Sequence, residues 1–282
     1  MRAYLHLCKL RVATLLVAVA VVSALVSAPG TADVPRLALL ALAGGLACMG
    51  SALLNHYFDQ DIDRLMKRTR GRPLPSGRIA NARGVFWAGL AVVALGLSIS
   101  TMLNPLTTLF ILGGSIVYVL IYTLWLKRRT PASTVIGGLS GAFAALAGWA
   151  ATGSPPSPAP FLVALVVFLW TPPHFWSFGL ANRTDYQDAG IPLLPRTQAG
   201  GYILGSTVLL VLVSLAAYLS GAPFGWVYLS VTAILGAAFL LAEGWLVVDS
   251  STRAAWRGYK VSGVYLGSLL LALAFEGLRG SA

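Results

Sequence analysis

The chain has 282 residues, of which 57% are hydrophobic and only 10% are charged, and its mean hydropathy is +0.78. A soluble domain carries about 25% charged residues, so this chain cannot cover a surface that faces water. The composition therefore excludes a soluble enzyme and a disordered chain, and two cysteines exclude a disulfide scaffold. The formal charge of +11 lies in short loops between apolar runs, so it indicates membrane topology and not nucleic-acid binding.

We predict an all-α polytopic membrane protein, with nine transmembrane helices around a central cavity in one domain over residues 1–282. A helix needs about 20 apolar residues to cross a bilayer. The predicted spans are 11–29, 36–58, 84–102, 105–125, 133–152, 160–181, 201–220, 224–248 and 260–277. The first resembles a signal peptide, but it is long enough to span and has no convincing cleavage site, so we expect it to be retained.

The basic residues predict the orientation of the spans. Eighteen of the 20 Lys and Arg residues lie at the N-terminus or in every second loop, and only Arg36 and Arg279 lie on the other side. The positive-inside rule then places the N-terminus and the basic loops in the cytoplasm and the C-terminus outside. Lys9 and Arg11 either anchor the chain in the membrane or pair with carboxylate groups of a substrate, and we favour anchoring. The chemistry should therefore lie on the cytoplasmic side.

An acidic segment closes the second span. Asn55, Asp59 and Asp63 are four residues apart, so on a helix they share one face, whereas Asp61 points elsewhere. Clustered carboxylates repel one another unless a cation joins them, and Mg²⁺ accepts one or two carboxylates together with substrate phosphates. The alternative is that these acids only solvate a helix end or pair with nearby basic residues. Three aligned oxygen ligands favour a metal site.

A basic segment with two stiffening prolines follows the acids directly. Acidic and guanidinium groups in one pocket indicate a site for metal and polyphosphate, because Arg binds phosphate oxygens bidentately. For Arg78 and Arg83 we prefer membrane anchoring. The predicted diphosphate-binding residues of this segment are Arg64, Lys67, Arg68 and Arg72.

Four stretches carry a resemblance to a known family. The segment 55–79 resembles the first aspartate-rich motif of the UbiA-type intramembrane prenyltransferase superfamily. The stretches Tyr122–Pro131, Leu169–Trp176 and Asp185–Pro195 resemble the protoheme IX farnesyltransferases, or haem O synthases, and the Thr-Pro-Pro-His-Phe-Trp segment is specific to that branch. The resemblance covers residues 5–280 in span order.

The resemblance implies an activity and its partners. The family transfers farnesyl from farnesyl diphosphate to a vinyl group of haem B, with addition of water, and so makes haem O for haem–copper oxidases. It implies Mg²⁺ as cofactor, farnesyl diphosphate and haem B as substrates, and a bacterial inner membrane. It also implies contact with haem A synthase or oxidase assembly factors and none with nucleic acid. Asp59, Asp63, Asp185 and Tyr122 are the expected catalytic residues.

A second acidic cluster lies at the end of the sixth span, four spans after the acidic cluster that ends the second span. Asp185 and Asp188 are three residues apart, where many relatives have a spacing of four, but they still share a helical face. Asp185 is the better metal ligand, whereas Asp188 either binds the metal or orders the loop. Two four-helix halves plus a ninth helix would bring both clusters to one central cavity. The predicted metal ligands are Asn55, Asp59, Asp63, Asp185 and Asp188.

Residues at the end of the fourth span also have two interpretations. Lys127, Arg128 and Arg129 are either membrane anchors or phosphate ligands, and we favour Lys127 for diphosphate contact. Tyr118 and Tyr122 share a helix face and either stabilise a carbocation by cation–π contact or belong to the interfacial aromatic belt.

The acceptor-binding residues are predicted to be His174, Trp176 and His56. Pro172 and Pro173 should interrupt the sixth span, and an ionisable ring at such a break indicates function. His174 would ligate haem iron or hydrogen-bond in the pocket, unless a neighbouring carbonyl merely satisfies its ring. Glu243 is the one carboxylate deep within a span, and its role is open.

The sequence leaves two rival functions. One is a prenyltransferase with a quinone precursor or chlorophyllide as acceptor, against which the Pro-Pro-His segment argues. The other is a transporter that uses Glu243 and the other acids as an ion path. A transporter would need acids spread through the membrane, whereas eight of the nine lie at or near span ends.

Overall fold

A computed structural model describes residues 2–30, 33–221 and 223–280 and shows a bundle of long helices. Nine helices in this part of the chain are long and apolar enough to cross a membrane, as predicted. Short helices lie at the ends of several of them. In chain order the helices are α1 Arg2–Leu7, α2 Leu10–Ser27, α3 Val34–Phe58, α4 Gln60–Leu65, α5 Ala82–Ser100, α6 Pro105–Ile116, α7 Ser133–Gly137, α8 Leu139–Thr152, α9 Pro158–Ala181, α10 Arg183–Asp188, α11 Arg196–Tyr218, α12 Trp226–Val248 and α13 Thr252–Arg279.

The helix boundaries follow from local sequence signals. Asp33, Asn81, Asn104 and Ser251 each cap a helix by accepting a hydrogen bond from a backbone N–H three residues later. Proline occupies the first turn of α3, α6 and α9, where its missing N–H costs no hydrogen bond. Large apolar side chains such as Leu241, which is 76% exposed, cover the outer surface. A bilayer is the surrounding that such a surface requires.

The helices pack in two groups that follow the chain. Helices α2, α3, α5, α6 and α8 pack in one group, and α9, α11, α12 and α13 pack in the other. Contacts between α2 and α13 and between α8 and α9 join the two groups. The central core contains buried side chains of α2, α8, α9, α11, α12 and α13. The structure thus has a group of five helices and a group of four, where the sequence predicts two groups of four and a ninth helix.

The fourth span does not remain an α-helix. From Val117 to Leu126 the helix that begins as α6 continues as a π-helix, with Lys127 N–H donating to the Tyr122 carbonyl. Thr123 Oγ1 also donates to the carbonyl of Tyr118, five residues earlier. A π-helical segment widens the helix locally and often marks a functional site. This segment carries the two tyrosines that the sequence singles out.

The predicted interruption of the sixth span is wrong. Helix α9 runs from Pro158 to Ala181 with Pro172 and Pro173 inside it. Neither proline has an N–H, so the helix forgoes two backbone hydrogen bonds at this point. Packing of α9 against α8, α11 and α13 holds the helical path in spite of that loss. The helix ends instead at Asn182, next to the second acidic cluster.

Candidate active site

The first acidic cluster lies at the junction of α3 and α4. Helix α3 ends at Phe58, but the backbone bond from Asp63 N–H to the Asp59 carbonyl, at 2.8 Å, carries the helical path across the junction. Asn55, Asp59 and Asp63 are all buried, whereas the side chain of Asp61 is 65% exposed. The shared face that the four-residue spacing predicts is therefore present. We call these three buried residues the acidic stripe.

Each carboxylate of the acidic stripe has a cationic partner from elsewhere in the chain. Lys127 Nζ lies 2.6 Å from Asp59 Oδ2. One guanidinium nitrogen of Arg72 lies 2.9 and 2.7 Å from the two carboxylate oxygens of Asp63. A buried carboxylate needs such compensation, because removing charge from water costs several kcal/mol per ion. Two predicted diphosphate ligands thus lie directly on the predicted metal ligands.

Lys9 lies beside the acidic stripe, although the sequence favours a role as a membrane anchor. It was expected to be an anchor, but its Nζ donates to Asn55 Oδ1 and lies 3.0 Å from the hydroxyl of Tyr118. Burial lowers the pKa of Lys9 to about 7, and the charges of Arg72 and Lys127 act in the same direction. Lys9 has a left-handed backbone, φ 45°, between α1 and α2, and the sequence gives no signal for that conformation.

The second acidic cluster reaches the first through the basic loop. Asp185 is buried and accepts hydrogen bonds from the backbone N–H groups of Lys67 and Arg68, at 3.1 and 3.0 Å. The structure therefore brings the ends of the second and sixth spans together, as the predicted repeat requires. Asp188 is exposed at the end of α10 and does not belong to the buried set. Of its two predicted roles, ordering the loop suits this position better.

The remaining basic residues of the loop lie on its surface. Arg64, Lys67 and Arg68 are exposed, and the guanidinium of Arg68 lies 5.0 Å from the centre of the Phe178 ring. Arg128 pairs with both oxygens of Asp61 outside the acidic stripe, and this contact lowers the pKa of the Asp61 carboxyl. Arg128 and Asp61 therefore form an exposed pair that is separate from the buried one.

The two tyrosines of the π-helix stand beside the acidic stripe. The rings of Tyr118 and Tyr122 are stacked, with centres 6.0 Å apart and an angle of 11° between their planes. A small pocket next to them is lined by Tyr122, Lys127, Trp176, Tyr186 and other residues. Burial raises the pKa of Tyr186, just outside the membrane, to about 12, so its phenol stays neutral. The pocket combines a cation with aromatic faces.

The three predicted acceptor residues do not come together. His56 is buried with its Nδ1 4.0 Å from Asp63 Oδ2, so it lies beside the acidic stripe. Trp176 lines the pocket of Tyr122 and donates to the Pro131 carbonyl at 3.2 Å. His174 faces α13, where its Nδ1 lies 2.7 Å from Ser262 Oγ. The acceptor-binding role of the three residues stays a prediction.

His174 belongs to an aromatic cluster between α9 and α13. Its ring centre lies 4.1 Å from that of Trp170 and 4.5 Å from that of Tyr259. The ring centre of Tyr259 lies 5.0 Å from that of Phe178, and the guanidinium of Arg68 in the basic loop lies over the Phe178 ring. A continuous row of rings therefore leads from the basic loop to His174. The periodicity of α13 gives no hint of this row.

Glu243 is fully buried between helices. Its Oε1 accepts a hydrogen bond from Ser177 of α9 at 2.9 Å. A Cβ at Gly258 of α13 would lie 2.3 Å from the same oxygen, so the glycine makes room for the carboxyl group. Glu243 therefore links three helices of the second group, and it does not join the other acids in a path through the membrane.

The arrangement suits a reaction in which an anionic group leaves an apolar substrate. Cationic side chains and carboxylates meet at one end of the bundle, and aromatic side chains extend from them. Within the described residues no three His, Cys, Asp or Glu side chains converge closely enough to hold one metal ion. Asp59 Oδ1 is nevertheless buried without a hydrogen-bond partner there. A divalent cation would satisfy that oxygen.

Comparison with known proteins agrees with this chemistry. The UbiA prenyltransferase family matches residues 15–269. Protoheme IX farnesyltransferase 1 of Cenarchaeum symbiosum (strain A) is 39% identical, over 98% of this chain and 95% of that protein. Protoheme IX farnesyltransferase of Alkalilimnicola ehrlichii is 41% identical, over 96% of this chain and 91% of that protein.

Two solved structures share the fold. A structure described for digeranylgeranylglyceryl phosphate synthase in membranes has a TM-score of 0.82 and 21% identity, over 99% of this chain and 98% of that one. A UbiA homologue from Archaeoglobus fulgidus bound to GPP and Mg²⁺ has a TM-score of 0.70 and 18% identity, over 96% of this chain and 99% of that one. The family match over most of the sequence, the shared fold and the buried acid–base site lead to one conclusion: the chain belongs to the UbiA prenyltransferase family and is a membrane-embedded prenyltransferase.

Proposed function

We propose that the protein transfers the farnesyl group of farnesyl diphosphate to a vinyl group of haem B, with addition of water, and so makes haem O and diphosphate. The observation that carries the proposal is the identity of 39–41%, over nearly the whole chain, to proteins named protoheme IX farnesyltransferase. The Thr171–Trp176 segment, typical of that branch, lies on α9 beside the aromatic cluster. This supports haem B over a quinone precursor as the acceptor.

Magnesium fits the residues at the acidic stripe. Asp59 Oδ1, which has no hydrogen-bond partner among the described residues, the Asp63 carboxylate and the amide oxygen of Asn55 are hard oxygen donors of the kind that Mg²⁺ prefers. Asp185 would join them from the second cluster. When bound, the ion supplies positive charge to the diphosphate oxygens and so favours departure of diphosphate. The A. fulgidus homologue bound to GPP and Mg²⁺ supports this assignment.

The cationic side chains have the task of binding the leaving group. Lys127, Arg72 and Lys9 surround the acidic stripe and would contact the diphosphate oxygens as charge builds up there. Arg68, Lys67 and Arg64 on the exposed loop would close over the same group. The C–O bond of farnesyl diphosphate breaks and its electron pair leaves with diphosphate, which produces an allylic cation.

The aromatic residues have the task of guiding the cation to the acceptor. The stacked faces of Tyr118 and Tyr122 would stabilise the positive charge of the allyl group. The π electrons of the haem vinyl group form the new C–C bond, and the resulting cation at the porphyrin side takes the oxygen of water, which then loses a proton. The half-buried rings of the tyrosines would help to keep water from the first cation.

We place the active site on the cytoplasmic side of a bacterial inner membrane. The basic residues near the acidic stripe support this side by the positive-inside rule. The product would then serve haem A synthase or oxidase assembly factors at the same membrane.

The decisive experiment is mass analysis of haem extracted from cells with and without the protein. We expect a haem species whose mass exceeds that of haem B by one farnesyl group and one water. With purified protein the same product should depend on Mg²⁺ and disappear with a chelator. A prenylated quinone precursor and unchanged haem would contradict the proposed acceptor but not the family.

A further inference from the structure

Among the described residues, three aromatic rings and Ser262 lie close to the ring of His174. The rings of Trp170 and Tyr259 lie against it, with angles of 26° and 33° between the planes. Phe175 approaches it edge-on, at 5.2 Å between centres. Nδ1 is in contact with Ser262 Oγ, at 2.7 Å. Nε2 has no hydrogen-bond partner among the described residues, although His174 is not fully buried.

The hydrogen bonds of Ser262 determine which ring nitrogen carries the proton. Its hydroxyl lies 2.7 Å from the carbonyl oxygen of Tyr259, one turn earlier on α13. A carbonyl can only accept, so the single hydroxyl hydrogen is donated to Tyr259. The contact between Ser262 Oγ and His174 Nδ1 then needs a hydrogen on Nδ1. In the neutral ring this leaves the lone pair on Nε2.

Ser262 also fixes the neighbouring turn of α9. Its backbone carbonyl accepts a hydrogen bond from Trp170 Nε1 at 2.7 Å, and Trp170 stacks on the imidazole. The residue is fully buried and so holds Trp170 through its backbone and His174 through its side chain. Only the second contact depends on the hydroxyl group. A substitution by alanine therefore separates the two.

The other imidazoles lack this arrangement. His6 is exposed near the N-terminus. His56 is buried beside Asp63, and neither of its ring nitrogens has a hydrogen-bond partner in the described part of the chain. An imidazole that donates one N–H to an oriented oxygen and keeps the other nitrogen free is the usual form of a metal-ligating histidine. His174 alone of the three has this form.

We propose that Ser262 is a positioning residue, which holds His174 as the Nδ1–H tautomer and turns Nε2 to the iron of the porphyrin acceptor. This inference rests on the proposed function, because it takes haem B as the acceptor. The bond is a dative one from the Nε2 lone pair to iron, and no electron or proton is transferred. This bond would fix the porphyrin, and with it the vinyl group, next to the rings of Tyr259 and Phe178, the second of which contacts Arg68.

The test compares two porphyrins on three forms of the protein. Haem B and metal-free protoporphyrin IX are titrated onto the full-length protein in detergent, onto Ser262→Ala and onto His174→Ala. We expect His174→Ala to lose the absorption spectrum of a histidine-ligated haem. Ser262→Ala should bind haem B about 10-fold more weakly, the size of effect typical for loss of a residue that orients a metal-bound histidine. Binding of metal-free protoporphyrin IX should be unchanged in Ser262→Ala.

Ser206→Ala is the matched control. Ser206 likewise donates to a carbonyl three residues earlier in its own helix, that of Ile203, but contacts no imidazole. It should leave both titrations unchanged. If Ser262→Ala weakens both porphyrins equally, or neither, or if His174→Ala keeps the ligated spectrum, the inference is wrong.

The same samples separate this inference from the proposed function. If the unmodified protein makes no farnesylated haem from farnesyl diphosphate and haem B, the proposed function fails. If it makes that product while the haem spectrum is the same in His174→Ala, Ser262→Ala and the unmodified protein, only the positioning role fails.

Discussion

At the scale of single residues, the acidic stripe is defined by charge compensation. Lys127 comes from the end of the π-helix, Arg72 from the basic loop and Lys9 from the junction of α1 and α2. Removing one partner of a buried ion pair costs about 3–5 kcal/mol, because the other charge stays uncompensated. When substrate and metal bind, the cations would contact the diphosphate and the carboxylates would contact the metal ion. Affinity for substrate and stability of the empty site are therefore coupled.

The three aspartates near the α3–α4 junction should differ sharply in function. Asp59→Asn and Asp63→Asn remove a buried carboxylate from the acidic stripe and should lower kcat at least about 100-fold, by loss of charge where the leaving group forms. Asp61→Asn removes an exposed partner of Arg128, and surface pairs contribute less than about 1 kcal/mol. Its kcat should fall less than about threefold. Steady-state prenyl transfer measures this, and an Asp61 variant as poor as the other two would refute the assignment.

Lys9 and Arg11 form a natural pair for a second test. Both are basic residues at the start of the first span, but only Lys9 reaches Asn55 and Tyr118, whereas Arg11 is exposed. Lys9→Met should lower kcat/KM for farnesyl diphosphate about 10-fold, the loss expected for one hydrogen bond to a charged group. Arg11→Gln should change it less than twofold.

The Lys9 comparison also requires that the variants fold. Detergent-solubilised Lys9→Met should elute as a monodisperse species with the helix content of the parent protein. Equal activity of the two variants would return Lys9 to the role of an anchor.

At the scale of elements, small residues set how closely the helices approach. A Cβ at Gly148 of α8 would lie 1.9 Å from the carbonyl oxygen of Ala20 in α2, and one at Gly141 would lie 2.9 Å from Val167 in α9. The glycines of the fifth span thus allow α8 to pack against both neighbours. Gly137 has a different role, since a Cβ there would lie 2.9 Å from the ring of Tyr122. It leaves space for a ring beside the acidic stripe.

Gly148→Ala should therefore separate α8 from α2. The clash is with backbone, which cannot turn away as a flexible side chain would, and overpacking typically costs about 1–3 kcal/mol. We expect a clearly lower Tm in a thermal melt monitored by size-exclusion chromatography. Gly44→Ala is the control, because no atom of the described residues lies within 4 Å of a Cβ at that helical position, apart from the neighbouring backbone of its own helix. An unchanged Tm in Gly148→Ala would show that α8 does not pack as described.

The π-helix and the proline pair illustrate two ways in which tertiary packing modifies an element. The π-helix carries Tyr118 and Tyr122, whose rings stack beside the acidic stripe. In α9, packing on several sides keeps the helix continuous past Pro172 and Pro173, and His174 follows directly. We propose that Tyr118 and Tyr122 contact the allylic cation and that His174 contacts the porphyrin, so both segments would lie next to substrate. Irregular backbone in a membrane protein is tolerated where it is enclosed by other helices.

At the scale of the whole molecule, the chemistry is gathered at one end of the bundle. The α3–α4 junction, the basic loop, the end of the π-helix and α10 meet there, and Asp185 ties α10 to the basic loop. The opposite end contains connectors such as the one at Gly30, whose N–H donates to the carbonyl of Gly277. This polarity of the molecule matches the strong asymmetry of its basic residues.

The orientation in the membrane can be measured with reporters. Nine spans and eighteen basic residues on one side predict that a phosphatase fused after Ala282 is active, because it lies outside the cytoplasm. The same reporter inserted after Ser250, between α12 and α13, should be inactive. The reverse pattern would show that the site faces the other compartment. Activity at both positions would show that the predicted number of spans is wrong.

The sequence by itself determined the class of the protein, the number of its spans and the buried face of Asn55, Asp59 and Asp63. These features depend on composition and on spacing along one helix, and such local periodicities are written directly in the chain. Only the tertiary structure decided which cations meet those acids, why Lys9 belongs with them, where His56 and His174 part, and how Ser262 holds an imidazole. The physical reason is that the contacts of Lys9, Lys127 and Ser262 join residues 46, 68 and 88 positions apart, whose approach depends on how whole helices pack. Arg72 is only nine positions from Asp63, but the fold of the loop between them decides whether they meet.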